Sequence, residues 1–384
     1  MEAPALARCV GDVERFLQRD WARAPFLCEA RRESGFDDLA SLDDLDRMIS
    51  SLGLRASSLR MVQDGKTLPV SAYTTPAGPK SRTTDRPVDA ASVYSRFEEG
   101  ATIVLESLHR YWRPLTDFCR ELELALGHRL QVNAYITPPG SQGFDVHRDT
   151  HDVFVMQVSG TKHWVVYDRE DDGRVLIDRD LRRGEALYIP TGFPHAASAG
   201  SSASAHLTVG ILTHDSMDVV REVIKLAEEE PVFAERLPAG STTDAGAMRE
   251  TVVASLDELR AWLDKVDVDE LTQRVARKVM SSAQPVVRGQ LRQLELVEGI
   301  NASTELVRRP GAVCVLFPGD TSLKILLVDR ELQMPLAAEG AIQEVAGRDR
   351  LQASDLHPFL EPDGALVLVR RLVREGLLEV VVEG

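Results

Sequence analysis

The sequence predicts a mixed α and β chain, with a central double-stranded β-helix, or jelly roll, followed by a helical segment and a winged-helix-like module. Three observations predict this. Residues 130–212 break into short apolar or alternating runs separated by turn residues, at the roughly 8–12-residue spacing of a sandwich or barrel. His147, Asp149 and His195 fall within that region, and ligand-type side chains converging from separate strands favour a barrel with an open mouth. On both sides of it, apolar residues recur at helical spacing.

Taken in order, Val13, Phe16, Leu17 and Trp21 make 12–21 an amphipathic helix, and 42–52 is a second. Residues 65–87 are rich in Thr, Pro, Gly and Ser and read as an irregular connection. A helix is expected over 93–99 and a longer one over 103–125, with Leu105, Leu108, Tyr111, Trp112, Leu115, Phe118, Cys119 and Leu122 on its apolar face and Gly127 as its stop.

Strands follow. Residues 130–136 alternate, 153–158 are apolar on both faces, Ser159-Gly160 turns into 162–167, and 175–177, 186–189 and 206–212 supply more. Helices are expected at 216–229, 248–263 and 268–281, broken at 238–243. Their apolar faces have no evident core of their own, so they pack on the barrel, on one another or in a homodimer. From 291 onward strands such as 312–317, 324–328 and 377–382 alternate with helical stretches such as 365–375. The expected domains are therefore 1–214, catalytic; 215–288, helical dimerisation segment; and 289–384, winged-helix-like.

A chain of 384 residues with 43% hydrophobic residues has room for two or three cores. Its net charge of −15 argues against nucleic acid and anionic membranes and suits a basic protein or peptide partner. The C-terminal module shares that balance, with 10 basic against 15 acidic residues over 291–384, which favours a structural or protein-binding role over DNA binding. Cys9, Cys28, Cys119 and Cys314 have no disulfide or zinc spacing. With neither a signal-type N-terminus nor an apolar run of transmembrane length, a cytoplasmic protein is expected.

His147 and Asp149 are two residues apart in a β-rich stretch, so they are expected on one face of one strand. Alone they could be an exposed turn pair. His195, after the Gly192-Phe193-Pro194 turn, completes two imidazoles and a carboxylate, the set by which non-haem Fe(II) oxygenases leave positions open for a cosubstrate and O2. His151 falls on the same face but about 7 Å further along, so it reads as a wall or substrate residue. His206 reads as a hydrogen-bonded core histidine or one supporting the ligands. Lys162 shares a face with Trp164 and Val166. If that face points inward, its ammonium needs an anion, which the distal carboxylate of 2-oxoglutarate would supply; if outward, the lysine is solvated.

The run from Asn133 to Phe144, the His147-x-Asp149 pair, Gly160-Thr161-Lys162-His163-Trp164 and Gly192-Phe193-Pro194-His195 together resemble the JmjC/cupin ribosomal oxygenases. The resemblance covers about 130–214, extends more loosely to 16–26, and after 215 rests on the order of parts. It implies Fe(II)- and 2-oxoglutarate-dependent hydroxylation of a ribosomal protein, on an arginine side chain in the bacterial branch. It also implies metal binding by His147, Asp149 and His195, cosubstrate binding by Lys162, and a pocket contribution from the strand bearing Asn133 and Tyr135. Those two could equally be ordinary sheet polar groups. Gly210 stands where relatives often carry a serine beside the substrate side chain, which leaves the target residue open. A tailoring hydroxylase of a free amino acid or biosynthetic peptide would use the same site, and a non-catalytic sensor or scaffold would keep only its binding.

Overall fold

The structure, a computed structural model, describes residues 3–30, 32–76, 85–171, 173–241, 244–280, 287–327 and 330–382. Parts of four expected segments lie outside them: residues 77–84 of the irregular connection, residues 242–243 of the break between helices, Ser281 and Val328. The chain divides into two units, Met1–Thr213 and His214–Gly384.

The first unit starts with α1 (Pro4–Val10), α2 (Val13–Arg19), β1 (Phe26–Cys28), α3 (Leu42–Ser51), β2 (Leu59–Gln63), β3 (Lys66–Thr67) and α4 (Ala90–Glu98). It continues through β4 (Thr102–Leu105), α5 (Arg113–Leu126), β5 (Arg129–Thr137), β6 (Gln142–His147), β7 (Asp152–Ser159) and β8 (Thr161–Tyr167). The last strands are β9 (Val175–Arg182), β10 (Ala186–Ile189), β11 (His195–Ala199) and β12 (Ser204–Leu212). Eight of these strands form one sheet in the order β1-β10-β7-β12-β5-β4-β2-β3, and four form another, β6-β11-β8-β9. Every pairing is antiparallel.

Side-chain alternation explains the layers. In the eight-stranded sheet Leu130, Val132, Ala134 and Ile136 of β5, Phe154, Met156 and Val158 of β7, and Ala205, Leu207, Val209 and Ile211 of β12 enter a core shared with the N-terminal helices. Val153 and Val155 of β7, on the opposite face, join Trp164, Val166, Leu181, Leu187, Ile189 and Phe193 in a second core between the sheets. That is why β7 reads as apolar on both faces. Asp12 caps α2 by accepting from the Arg15 N–H at 3.0 Å, and Ser41 with Asp44 forms a capping box on α3.

The expected helix over 103–125 needs correction. Residues 102–105 are β4, inserted between β2 and β5, and α5 begins only at Arg113, with Pro114 in its first turn. All four β4 residues are buried, and the β-branched Thr102, Ile103 and Val104 favour the sheet; helical periodicity through Leu105 and Leu108 misread a strand followed by a turn. The stop at Gly127 stands, in the left-handed conformation at φ 70°.

The second unit opens with α6 (Ser216–Glu228), α7 (Ala245–Leu263) and α8 (Val268–Met280). Neither α7 nor α8 has a buried residue. Ion pairs join α6 to α8: Lys278 to Asp218 at 3.1 Å and to Glu222 at 3.4 Å. The remainder contains α9 (Gln290–Leu296), β13 (Glu305–Arg308), β14 (Val315–Pro318), β15 (Ser322–Leu326), β16 (Glu331–Pro335), α10 (Glu339–Gly347), β17 (Arg350–Gln352), α11 (Pro362–Arg374) and β18 (Leu378–Val380). It forms two three-stranded sheets, β17-β13-β18 and β14-β15-β16, around a core that includes Leu306, Ile342, Leu351, Leu372 and Leu378. Among the described residues, no helix is long and apolar enough to cross a membrane.

Candidate functional site

His195, the first residue of β11, pairs directly with His147, the last residue of β6. Their rings stand 4.4 Å apart between centroids. Asp149 is not on β6, as the expected shared strand face required, but in the turn beyond it. The turn brings its carboxylate back, with Oδ1 3.8 Å from His147 Nε2 and Oδ2 3.6 Å from His195 Nε2. One ligand atom from each residue lies within 4.8 Å of the other two, the one such cluster found among the described residues.

Backbone carbonyls set the imidazoles. His147 Nδ1 lies 2.8 Å from the Asp145 carbonyl and His195 Nδ1 3.0 Å from the Phe193 carbonyl. Donation from both Nδ1 atoms leaves each Nε2 lone pair facing the carboxylate, the orientation a metal ligand needs. Burial, partly offset by the Phe193 carbonyl and Asp149, pushes the His195 pKa down, so it stays neutral and available as a ligand. The turn entering His195 is held by Asp152, which accepts from the Thr191 N–H at 2.8 Å and hydroxyl at 2.7 Å and from the Tyr188 hydroxyl.

These ligands line a cavity of about 200 Å³ together with Arg60, Tyr135, Val153, Lys162, Trp164, His206 and Thr208, among others. Within the cluster His147 is exposed, whereas His195 and the nearby wall residue Lys162 are only 3% and 4% exposed. Lys162, Trp164 and Val166 are all buried, so their face points inward. The Lys162 ammonium donates to Thr137 Oγ1 at 3.0 Å, and burial brings its pKa down to about 7. No carboxylate pairs with it among the contacts of the described residues, so the cavity offers a buried cation to an anionic ligand.

Tyr135 lines this cavity, but Asn133 does not. Asn133 Oδ1 accepts from the Ser107 N–H at 2.9 Å, holding a residue in the left-handed region at φ 57°. Its carboxamide oxygen is thus engaged in the fold. His206 is buried in the cavity wall, outside the metal-type cluster, and its Nδ1 has no hydrogen-bond partner, contrary to the expected hydrogen-bonded histidine. His151 lies over Gly210, with Nε2 2.6 Å from where a Cβ at 210 would stand.

Sequence reasoning missed Arg60, which reaches the cavity from β2. Its Nε donates to Glu106 Oε1 at 2.5 Å and its guanidinium lies 5.3 Å from the Phe144 ring centre. The available signal was the partly exposed Arg60 between buried Leu59 and Met61, a strand alternation in a region read as helices and loops.

Two antiparallel sheets with a core between them and a two-histidine, one-carboxylate cluster define a jelly-roll protein with a facial-triad type of site. The JmjC domain family matches residues 108–219. Ribosomal oxygenase 1 of Gallus gallus is 26% identical over 349 residues, 82% of this chain and 56% of that protein. The bifunctional lysine-specific demethylase and histidyl-hydroxylase NO66 of Branchiostoma floridae is 27% identical over 234 residues, 59% of this chain and 36% of that protein. The chain thus spans little more than half, or less, of these relatives. Among solved structures, the ribosomal oxygenase YcfD from Escherichia coli shares the fold at a TM-score of 0.58 and 20% identity, over 97% of this chain and 98% of that one. A YcfD structure in complex with cobalt and 2-oxoglutarate aligns with the same TM-score at 19% identity, over 96% of this chain and 97% of that one.

Proposed function

We propose that this chain is an Fe(II)- and 2-oxoglutarate-dependent oxygenase that hydroxylates an amino-acid side chain of a ribosomal protein. The observation that carries the reading is one cavity lined by the His147, Asp149 and His195 cluster and by the buried Lys162. The names of the relatives, and cobalt with 2-oxoglutarate in the E. coli structure, support the same chemistry.

The donor set fits Fe(II), and two imidazole nitrogens with a carboxylate oxygen leave the opposite coordination positions open. Iron(II) with 2-oxoglutarate and O2 supplies the oxidising power that turns C–H into C–OH, the cosubstrate leaving as succinate and carbon dioxide. In this reading His147 and His195 bind through Nε2 and Asp149 through its carboxylate. Lys162 neutralises the far carboxylate of the cosubstrate, Tyr135 walls the cavity, and Val153, Val155 and Trp164 keep water from its inner side.

The charge of −15 supports a basic protein substrate and a role away from nucleic acid and membranes. We assign 1–214 as the catalytic domain, 215–288 as a homodimerisation segment and 289–384 as a winged-helix-like protein-binding module, in a cytoplasmic protein. The dimer reading rests on an α7 that buries nothing while exposing Val252, Val253, Leu256 and Leu263, with Met217, Val220 and Ile224 exposed on α6.

The test is anaerobic addition of Fe(II) and 2-oxoglutarate. A visible metal-to-ligand charge-transfer band that is present in the wild type and absent in His195→Ala is the expected result. No band in the folded wild type overturns the oxygenase reading and leaves a binding protein. Given a band, an oxygen-atom mass gain on ribosomal protein, and not on free amino acids or small peptides, is expected.

A further inference from the structure

Two residues of the cavity wall each enclose a polar atom that has no hydrogen-bond partner among the described residues: His206 Nδ1 and Trp164 Nε1. The two residues are only 3% and 6% exposed. An enclosed N–H left unpaired costs about 1–3 kcal/mol, which favours the imidazole proton on Nε2, the ring nitrogen that is not enclosed.

The surroundings of His206 narrow what that N–H can meet. The β5–β12 register places His206 directly opposite Tyr135, and their rings stack at 5.0 Å and 3°. Trp164 meets the imidazole edge-on at 5.6 Å and 83°. The ring plane is therefore fixed from two sides. Burial, followed by the nearby Lys162 charge, holds the His206 pKa well below its usual value. A neutral imidazole carries one N–H and no charge, so it adds a directed donor beside the Lys162 ammonium. His206 Nδ1 stands outside the metal-type cluster, which excludes it as a fourth ligand there.

We propose that His206 is a cosubstrate-binding residue: its ring Nε2–H donates to the same distal carboxylate that Lys162 neutralises, making a two-point clamp in the cavity wall. This deepens the oxygenase reading and rests on it. The ligand class it selects is a 2-oxo acid with a second carboxylate, because a monocarboxylate leaves the ammonium without an anion and the imidazole N–H without an acceptor.

The experiment titrates anaerobic Fe(II)-loaded full-length protein with 2-oxoglutarate and separately with 2-oxobutyrate, which chelates alike but has no distal carboxylate. Wild type, His206→Phe and His206→Gln are compared by the charge-transfer band, with iron retention and thermal melting as controls. His206→Phe keeps the stack on Tyr135 and is expected to weaken 2-oxoglutarate binding about tenfold, equivalent to 1.4 kcal/mol. Its 2-oxobutyrate affinity and iron retention should match wild type, and His206→Gln, which restores a donor, should recover part of the loss. Equal weakening for both acids, or unchanged 2-oxoglutarate affinity in a folded His206→Phe, overturns the clamp and leaves the oxygenase reading intact. If His206→Phe does not fold, His206→Gln decides alone: its ratio of 2-oxoglutarate to 2-oxobutyrate affinity must fall below wild type, and an unchanged ratio overturns the clamp. Absence of a band with either acid in the wild type removes the oxygenase reading and the clamp with it.

Discussion

The Gly192 N–H donates to the Asp149 carbonyl at 3.1 Å, so the turn carrying the carboxylate is tied to the turn that enters His195. Arg148 strengthens the tie, donating from Nη1 to the Gly192 carbonyl at 2.7 Å and to the Arg169 carbonyl at 3.1 Å. Asp149 lies beyond the end of β6, so these contacts, and not a strand face, determine where it points. Gly192 has φ 82°, where a side chain would be strained.

Arg148→Ala is therefore expected to leave the fold in place and weaken metal binding. Losing a group that orients ligands typically costs about 10–100-fold in affinity. Competition with a chromophoric chelator measures it. Affinity equal to wild type would mean that the Gly192 to Asp149 bond alone holds the turn.

Asp149→Ala removes the one carboxylate of the cluster and should abolish turnover, with iron no longer retained on gel filtration. Melting in the metal-free state should change little or rise, because Asp149 is partly exposed beside two imidazoles and its usual role in folding is small. A large drop in stability would make Asp149 a structural residue first.

The barrel was legible because its strands alternate or are buried on both faces, and turn residues such as Ser159-Gly160 separate them. His147 and His195 were legible through their motifs. What sequence periodicity missed lies where tertiary pairing overrides local pattern: β4 is four residues long and leads directly into a turn, so its apolar residues ran on into those of α5. The short strands β1, at one sheet edge, and β2, between β4 and β3, take their identity from the pairing, and Arg60 was hidden with β2. Asn133 shows the reverse problem. Alternation places it on the cavity-facing side of β5, but only three-dimensional structure reveals that its oxygen is engaged by Ser107.

Gly210→Ser tests the packing of His151. A Cβ at 210 would stand 2.6 Å from His151 Nε2 and 2.8 Å from Cδ2, so the imidazole must leave its place. The expected cost is about 1–3 kcal/mol, as for other overpacked sites, read as a lower melting temperature, and His151→Ala in the same chain should relieve it. Additive losses in the double variant would show that the two positions do not compete for space.

A charge on the exposed apolar row tests the proposed homodimer. Leu256 on α7 is 45% exposed and Ile224 on α6 is 47% exposed, so Leu256→Glu with Ile224→Glu should alter stability of the isolated chain little. Sedimentation velocity is expected to show a dimer for wild type and a monomer for the double variant. A monomeric wild type at micromolar concentration overturns the dimer reading.

Lys162 ties stability and cosubstrate binding to pH with opposite signs. Its pKa falls from 10.5 in the unfolded chain to about 7 when buried, so between these values the folded state binds fewer protons than the unfolded one. Stability from this group therefore rises as pH goes from about 7 toward 10.5 and is lost as pH falls through the folded value. Cosubstrate binding runs the other way, because the carboxylate needs the charged ammonium: 2-oxoglutarate affinity should weaken as pH climbs above about 7, by up to roughly tenfold per unit. His206, held well below its usual pKa, stays neutral throughout and adds no slope. Lys162→Met keeps much of the side-chain volume and removes the buried charge. It should raise the melting temperature of the metal-free protein, by roughly 2–8 °C for a gain of about 1–2 kcal/mol in a unit of this size, flatten its pH dependence, and eliminate stabilisation by 2-oxoglutarate. A variant that melts lower than wild type and still responds to 2-oxoglutarate would show that the ammonium stabilises the empty fold through Thr137 and does not bind the cosubstrate.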